Sequence, residues 1–362
     1  MTENYVENYM KYYVNKYYQL KQKSRTEKNY CQIYVTENCS ENCAHCYLKF
    51  NKKNELSANE IIKTLEKFIK KSESDNKIPV LDLIGGDPLS KKGIKDILKF
   101  LGDKNINYGI KGNPHLVDMY KKDLVKYKIK RYQLSIDGIE STHDFLRSKG
   151  SFKKTIHAIR ILNELNIPVF IKYTVTNRNS KEIAPLLLYL LEKKLKITGF
   201  STGRYYEEKL DNTFSNKEMK DFFDTSMEAY LKLYRFQLEQ KKININIVFK
   251  EHLWYPYLYN KKYILESEHI KQLKTPFSLC CSVLSMNTHI IECDGKIYPC
   301  AKIKGVEFKN FYKELKEYQD SLKNNSCFNC VFKNVCLGCP AFHKKNPNGL
   351  VIDNACFLYK SE

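Results

Sequence analysis

The chain of 362 residues is 43% hydrophobic and 28% charged, with no apolar run long enough to span a membrane and no secretory signal at its polar N-terminus. We therefore expect a cytoplasmic globular protein. Its net charge of +20 would suit a nucleic-acid partner, but only seven of its 61 basic residues are arginine, the residue preferred for bidentate phosphate and base recognition. The composition argues against nucleic acid, and the positive field instead suits an acidic peptide or an acidic electron carrier.

Residues 1–29 carry tyrosines at helical spacing and predict an N-terminal helical arm. Strand-like and amphipathic helical segments then alternate over 30–244. The predicted strands are 30–36, 79–85, 107–111, 130–136, 168–175 and 196–201. The predicted helices begin at a Ser57/Glu60 capping box and continue near 92–101, 151–165, 180–193 and 216–240.

Six βα units in series predict an α/β fold with a parallel sheet and right-handed crossovers. They fit a partial (β/α)6 TIM-like barrel or a doubly wound sheet, and spacing alone does not choose between them. Either fold places the active site at the carboxyl ends of the strands. An aromatic bridging segment is expected over 245–279. A small cysteine-rich domain over 280–362 is too short to bury a core of its own, so we expect metal to hold it together.

The thirteen cysteines fall into two groups, four between residues 31 and 46 and nine between 280 and 356. Disulfides are disfavoured in the cytoplasm, so patterned cysteines indicate two metal regions. The first group places three thiols on one loop after strand one, at Cys39, Cys43 and Cys46. Three thiolates leave one iron of a [4Fe–4S] cluster without a protein ligand and open to a small molecule. A zinc knuckle completed by His45 or Cys31 is the alternative, although Cys31 suits core packing better.

The Cx3Cx2C loop, followed by Tyr47, resembles the signature of the radical S-adenosylmethionine (SAM) superfamily. Gly85-Gly86-Asp87-Pro88 resembles that family's GGE(P) motif, with aspartate in place of the commoner glutamate. Ser135-Ile136-Asp137-Gly138, followed by Arg147, resembles the segment whose serine and arginine hold the methionine carboxylate. The resemblance implies a SAM site lined by Tyr47, Gly85, Gly86, Asp87, Ser135 and Arg147.

The C-terminal cysteines resemble the SPASM domain of peptide-modifying radical SAM enzymes, which carries two auxiliary [4Fe–4S] clusters. One spacing departs from that pattern, since two residues rather than three precede Cys339. The resemblance implies that one auxiliary cluster is held by Cys327, Cys330, Cys336 and Cys356. It assigns the other to Cys281, Cys300 and Cys339, with Cys280, Cys293 or an open iron at the fourth position. A pair of zinc sites is the alternative in this region.

Membership of that family implies reductive cleavage of SAM to a 5′-deoxyadenosyl radical that abstracts hydrogen from a peptide. The preferred product is a thioether or carbon-linked crosslink in a ribosomally made peptide. Peptide epimerisation would need a thiol hydrogen donor, for which Cys280 and Cys293 are candidates if they are not ligands. Formylglycine formation, as in anaerobic sulfatase maturases, is disfavoured because Ala301 and Lys302 follow Cys300 where those enzymes place an aspartate base.

The implied partners are a peptide or protein substrate and reduced flavodoxin or ferredoxin as electron donor. The 38 residues ahead of Cys39 are too few for a leader-binding winged-helix domain, so a leader would be held by a separate protein or by the barrel surface. Arg204, Tyr205 and Tyr206, after strand six, would line the substrate pocket or form a solvated loop. A non-catalytic, metal-stabilised RNA-binding module is the distant alternative.

Overall fold

The computed structural model describes residues 27–46, 48, 55–205, 218–228, 246–250, 253, 256–257, 288–303, 307–330, 336, 338–345, 351–353 and 356. The predicted arm at 1–29 lies almost wholly outside the described residues, and so does most of the predicted bridge at 245–279. Within the described ranges, no helix has both the length and the apolar character needed to cross a membrane.

Strands and helices alternate through the first half of the chain, as the sequence predicts. The strands are β1 Lys28–Thr36, β2 Ile78–Gly85, β3 Asn107–Lys111, β4 Arg131–Ser135, β5 Val169–Val175 and β6 Gly199–Arg204. The helices are α1 Ala58–Ser74, α2 Ile94–Asp103, α3 Val117–Lys126, α4 Glu140–Leu146, α5 Ser151–Glu164 and α6 Ile183–Glu192. The predicted capping box is confirmed at the start of α1, where the Glu60 N–H donates to Ser57 Oγ and the Ser57 N–H donates to Glu60 Oε2.

All neighbouring pairs from β1 to β6 are parallel and follow chain order. A doubly wound sheet would reverse its strand order at a switch point. Sequential order with right-handed crossovers instead places every connecting helix on one face, which is the geometry of a partial barrel. The prediction of a partial TIM-like barrel is therefore confirmed, and the doubly wound alternative is excluded.

The sheet continues beyond residue 244. Strand β7 (Asn246–Lys250) pairs in parallel with β6 at one edge. On the other side, β8 (Thr288–Ile291) pairs in parallel with β1, and β9 (Ile297–Tyr298) pairs antiparallel with β8. The nine strands therefore run β7-β6-β5-β4-β3-β2-β1-β8-β9, and the C-terminal part of the chain joins the barrel sheet directly.

The hydrophobic core lies between the sheet and its helices. On β5, the buried residues alternate with half-buried ones that face the barrel interior, as expected of a strand with period two. Apolar side chains of α1, including Ile61 and Leu65, meet the sheet from the helical side. At the amino end of β4, Arg131 donates from Nη2 to Asp82 Oδ1 at 2.7 Å.

The described part of the cysteine-rich region contains one α-helix, α7 (Phe311–Leu322), and a two-stranded antiparallel sheet of β10 (His343–Lys345) and β11 (Val351–Asp353). Its buried side chains include Leu315, Leu322 and the thiols of Cys327, Cys330 and Cys336.

Candidate functional site

Three half-buried thiols lie on the loop that follows β1, at the carboxyl end of the sheet: Cys39, Cys43 and Cys46. Hydrogen-bond donors point at two of the sulfurs. Asn113 Nδ2 donates to Cys39 Sγ at 3.0 Å, and the Glu41 N–H donates to the same sulfur at 3.4 Å. Arg147 Nη1 donates to Cys43 Sγ at 3.6 Å. Donors around a sulfur stabilise its thiolate, the form that binds a metal.

The structure brings the three thiols into one electrostatic group. Burial raises the pKa of Cys39, and it raises the pKa of Cys43 to about 12; a charge on Cys46 raises both further. Among the described residues, no group of three His, Cys, Asp or Glu side chains is arranged to hold a single metal ion. The loop offers three sulfur atoms as ligands, two of them with hydrogen-bond donors. Thiols with raised pKa values lose their protons when a metal binds. These features fit an iron–sulfur group.

Gly85 and Gly86 bring the end of β2 against the cysteine loop. The Gly86 N–H donates to Thr36 O at 2.9 Å, and the Asp87 N–H donates to Asn38 O at 2.7 Å. A Cβ on Gly86 would lie 2.3 Å from Asn38 O, and Gly85 has a φ of +145°, so larger residues would push the loop away. Buried Asp87 accepts from the Leu89 N–H, and burial raises its pKa to about 6.

Asp137 lies just after β4, is fully buried and contacts side chains next to the cysteine loop. Its Oδ2 accepts from Arg147 Nε at 2.6 Å and lies 3.3 Å from His45 Nε2, and its Oδ1 accepts from the Thr174 N–H at 2.6 Å. Burial alone would raise the pKa of Asp137, but Arg147 and His45 outweigh burial and hold it well below its ordinary value. Ser135 lies half-buried at the end of β4.

Glu41, inside the cysteine loop, ties that loop to the neighbouring βα units. Its buried carboxylate accepts from Ser148 Oγ at 2.6 Å and from Ser151 Oγ at 2.7 Å, and it lies 2.7 Å from His115 Nε2. Burial would raise the pKa of Glu41, but these three hydrogen bonds keep it below its ordinary value. His143 extends the chain of contacts, with its Nε2 3.2 Å from Ser151 Oγ.

Because of the buried His143, we expect the protein to become less stable towards unfolding in acid. Its Nδ1 accepts from the Asp137 N–H at 3.1 Å, and burial together with Arg147 lowers its pKa to about 4 from the ordinary 6.5. As the pH falls from 6.5 towards 4, the unfolded chain takes up a proton that the folded chain does not bind. We expect the free energy of unfolding to fall by about 2 kcal/mol between pH 7 and pH 5 through this residue.

Urea unfolding of the wild type and of His143→Gln at pH 7 and pH 5 measures this contribution. The variant should lose less stability between the two pH values than the wild type. Exposed His157→Gln is the matched control and should keep the wild-type difference. An identical pH dependence in both variants would contradict the assignment.

The second cysteine region also forms two groups. Cys327, Cys330, Cys336 and Cys356 are linked through mutual electrostatic effects on the thiol pKa values, and they match the predicted ligands of one auxiliary cluster. Cys300 and Cys339 interact in the same way and belong to the other predicted set. Burial raises the pKa of Cys327 to about 11 and that of Cys339 to about 12. Cys280, Cys281 and Tyr47 lie outside the described residues.

Cys293 lies beside the first cysteine loop. It is buried in a small apolar cluster with Tyr34 and Ile84, and Cys46 packs against the same cluster. Burial raises the Cys293 pKa to about 12. Cys31 is 1% exposed within the main core, which confirms its packing role.

The sequence analysis did not identify several side chains that contact the cysteine loop or form part of it, chiefly Glu41, Asn113 and Asp137. Each is a polar residue close to the carboxyl end of a strand, and this position was the available signal. Arg204 and Tyr205 were expected in a pocket or a solvated loop. Both are buried, with Arg204 in an ion pair with Asp353, so the solvated-loop alternative is wrong for these two residues.

Known proteins resemble this chain in sequence and in fold. Fe-coproporphyrin III synthase of Methanosarcina barkeri is 25% identical over 367 residues, covering 91% of this chain and 87% of that protein. The sporulation killing factor maturation protein SkfB of Bacillus subtilis is 29% identical over 161 residues, 43% of this chain and 38% of that protein. The crystal structure of Streptococcus suis SuiB bound to its precursor peptide SuiA covers 95% of this chain and 79% of that chain, at 18% identity and a TM-score of 0.65. SuiB is also known bound to S-adenosylmethionine.

Residues 33–190 match the radical SAM superfamily. This segment runs from β1 into α6 and contains the cysteine loop, the Gly85-Gly86 turn and the Asp137–Arg147 pair. The barrel fold and the grouped thiols described above agree with this match. Residues 33–190 therefore form a radical SAM domain.

Proposed function

We propose that this protein is a radical SAM maturase that modifies a ribosomally made peptide by forming a thioether or carbon-linked crosslink. The observation that carries the proposal is the second cysteine region, which joins the barrel sheet through β8 and groups its thiols in two sets. The fold shared with SuiB over 95% of the chain supports it, and so does the local similarity to SkfB.

In this proposal Cys39, Cys43 and Cys46 hold the [4Fe–4S] cluster that binds SAM. Gly85, Gly86 and Asp87 bring backbone groups to the methionine end of SAM, and Ser135, Arg147 and Tyr47 complete the site. When bound, the cluster supplies the electron that cleaves SAM to a 5′-deoxyadenosyl radical. Arg147 donates to both Asp137 and Cys43 Sγ, so it also links the cysteine loop to the end of β4.

The proposed auxiliary clusters use the two thiol sets of the C-terminal region. Cys327, Cys330, Cys336 and Cys356 hold one cluster; Cys281, Cys300 and Cys339 hold the other, with Cys280 or an open iron at the fourth position. The placement of Cys293 beside Cys46 favours it as a hydrogen donor over a ligand. That placement keeps peptide epimerisation as an alternative reaction. Formylglycine formation stays disfavoured because Ala301 directly follows Cys300, where those enzymes place an aspartate base.

The proposed setting is the cytoplasm, with reduced flavodoxin or ferredoxin as the electron source. The net charge of +20 favours encounter with an acidic carrier or peptide. A leader peptide, if the substrate has one, would be held by a separate protein or by the barrel surface.

Tetrapyrrole modification is a second candidate. The similarity to Fe-coproporphyrin III synthase extends over 91% of this chain, whereas the similarity to SkfB covers 43%. A reaction on an acidic tetrapyrrole would also suit the basic charge of the chain.

The two candidates separate in one anaerobic experiment. Reconstituted protein with dithionite and SAM is incubated either with candidate short peptides encoded near its gene or with a tetrapyrrole precursor of Fe-coproporphyrin III, and both products are analysed by mass spectrometry. A peptide that has lost two hydrogens supports the crosslinking maturase, and unchanged mass with an inverted residue supports the epimerase. Turnover of the tetrapyrrole alone would contradict the peptide proposal. Release of 5′-deoxyadenosine tests SAM cleavage in every arm.

A further inference from the structure

Arg204, the last residue of β6, makes a bidentate ion pair with the C-terminal region. Its Nη1 donates to Asp353 Oδ1 at 2.9 Å, and its Nη2 donates to Asp353 Oδ2 at 2.6 Å. The two side chains are 2% and 0% exposed. Two parallel hydrogen bonds from an arginine to a carboxylate fix the distance and the relative orientation of the two side chains. The pair therefore holds β11 next to the end of β6.

Asp353 also contacts three cysteine segments. Its Oδ2 accepts from the Cys339 N–H at 2.9 Å, its N–H donates to the Cys327 sulfur, and its C=O accepts from the Cys356 N–H at 2.9 Å. Gly338 makes this approach possible, since a Cβ there would lie 2.7 Å from Asp353 Cβ. One residue therefore touches members of both thiol groups.

Two cations and one ring complete the arrangement. Lys302, two residues after Cys300, donates from Nζ to Arg204 O at 2.8 Å. The Phe342 ring lies 4.1 Å from Arg204 Cζ and 4.9 Å from Lys302 Nζ. Both cations act on Cys339 in the direction that favours its thiolate. The buried carboxylate is thus neutralised by Arg204, and it adds no uncompensated negative charge beside the thiols.

A buried ion pair is weak support for stability, because well-packed apolar residues often stabilise equally well. This pair has a more specific effect, since Asp353 contacts three predicted ligands: Cys339 through its carboxylate, and Cys327 and Cys356 through its backbone. We propose that Arg204 is a positioning residue: through Asp353 it holds Cys339, Cys327 and Cys356 in the arrangement that binds the auxiliary clusters. This inference rests on the proposed assignment of those clusters.

The test uses the full chain with Cys39, Cys43 and Cys46 replaced by alanine, so that only auxiliary iron is observed. Arg204→Lys and Asp353→Asn are made in this background, and iron release to a chelator is followed anaerobically. Groups that orient metal ligands typically change metal affinity by ten- to a hundredfold. We expect both variants to release iron about tenfold faster than their parent, with a broadened electron paramagnetic resonance signal after reduction.

Arg131→Lys is the matched control, because Arg131 also pairs with a part-buried aspartate, Asp82, at the amino end of the sheet. It should release iron at the parent rate, even if its melting temperature falls as far as that of Arg204→Lys. Parent-like release from Arg204→Lys would overturn the positioning role while leaving the auxiliary clusters intact. A parent that binds no iron would overturn the cluster assignment and this inference together. If Asp353→Asn does not fold, Arg204→Lys still decides the outcome.

Discussion

Replacing Cys39, Cys43 or Cys46 by alanine is expected to abolish 5′-deoxyadenosine formation from SAM, a loss of more than about a hundredfold. Residues that merely orient metal ligands already change affinity by ten- to a hundredfold, and these three thiols are the proposed ligands themselves. The measurement is the yield of 5′-deoxyadenosine from anaerobically reconstituted protein with dithionite and SAM, alongside iron content.

Cys31→Ala is the control for this prediction. Cys31 lies on β1, close to the loop in sequence, but it is 1% exposed within the apolar core. Its removal should cost about 1 kcal/mol of stability and leave SAM cleavage near the wild-type rate. Unimpaired SAM cleavage in Cys43→Ala would refute the assignment of the loop. Loss of cleavage in Cys31→Ala, with normal folding, would bring back the four-ligand alternative.

Asp137→Ala is expected to produce the next largest effect. The carboxylate accepts from Arg147 and from the Thr174 N–H, and it lies 3.3 Å from His45 Nε2. Removing it takes away the carboxylate paired with the buried Arg147 charge, and breaking a buried ion pair in this way typically costs about 3–5 kcal/mol. It also frees two side chains, His45 and Arg147, that hold the cysteine loop, so cluster content and SAM cleavage should fall together.

Asp137→Asn and Asp82→Asn separate these two effects. Asp137→Asn keeps the shape of the side chain and an acceptor for Thr174 but removes the charge opposite Arg147. Asp82→Asn removes a comparable charge from the Arg131 and Lys111 contacts, away from the cysteine loop. Urea unfolding and iron content should both fall in Asp137→Asn, whereas Asp82→Asn should lower stability alone. Equal iron loss in both variants would show that Asp137 has no particular connection to the loop.

Much of the fold could be predicted because its strands are apolar and regularly spaced. The helices α3 and α4 were missed for a physical reason. The buried residues of α3 are Val117 and Leu124, and those of α4 are His143 and Leu146, so neither helix has a clear apolar period. The parallel strand β8 was also missed, because its partner β1 lies at the opposite end of the chain.

Sequence reasoning found the cysteine loop and its glycines because they are contiguous motifs. It did not find the contacts of Glu41 with Ser148 and Ser151, or of Asn113 with Cys39. These pairs are remote in sequence and meet because the carboxyl ends of parallel strands lie side by side. The link between Arg204 and Asp353 is also remote in sequence, but it joins the end of β6 to β11 of the separate two-stranded sheet.

The position of β1 within the sheet also bears on biosynthesis. Cys31 of β1 pairs with His289 of β8, so the edge of β1 that β8 covers stays open until almost the whole barrel has been translated. An uncovered strand edge is a template for pairing with other chains, and non-local parallel pairing is slow. The nascent chain therefore carries its first cysteine loop beside an aggregation-prone edge for most of its synthesis. The segment at 288–291 ends that exposure, so the C-terminal region protects the barrel as well as carrying cysteines.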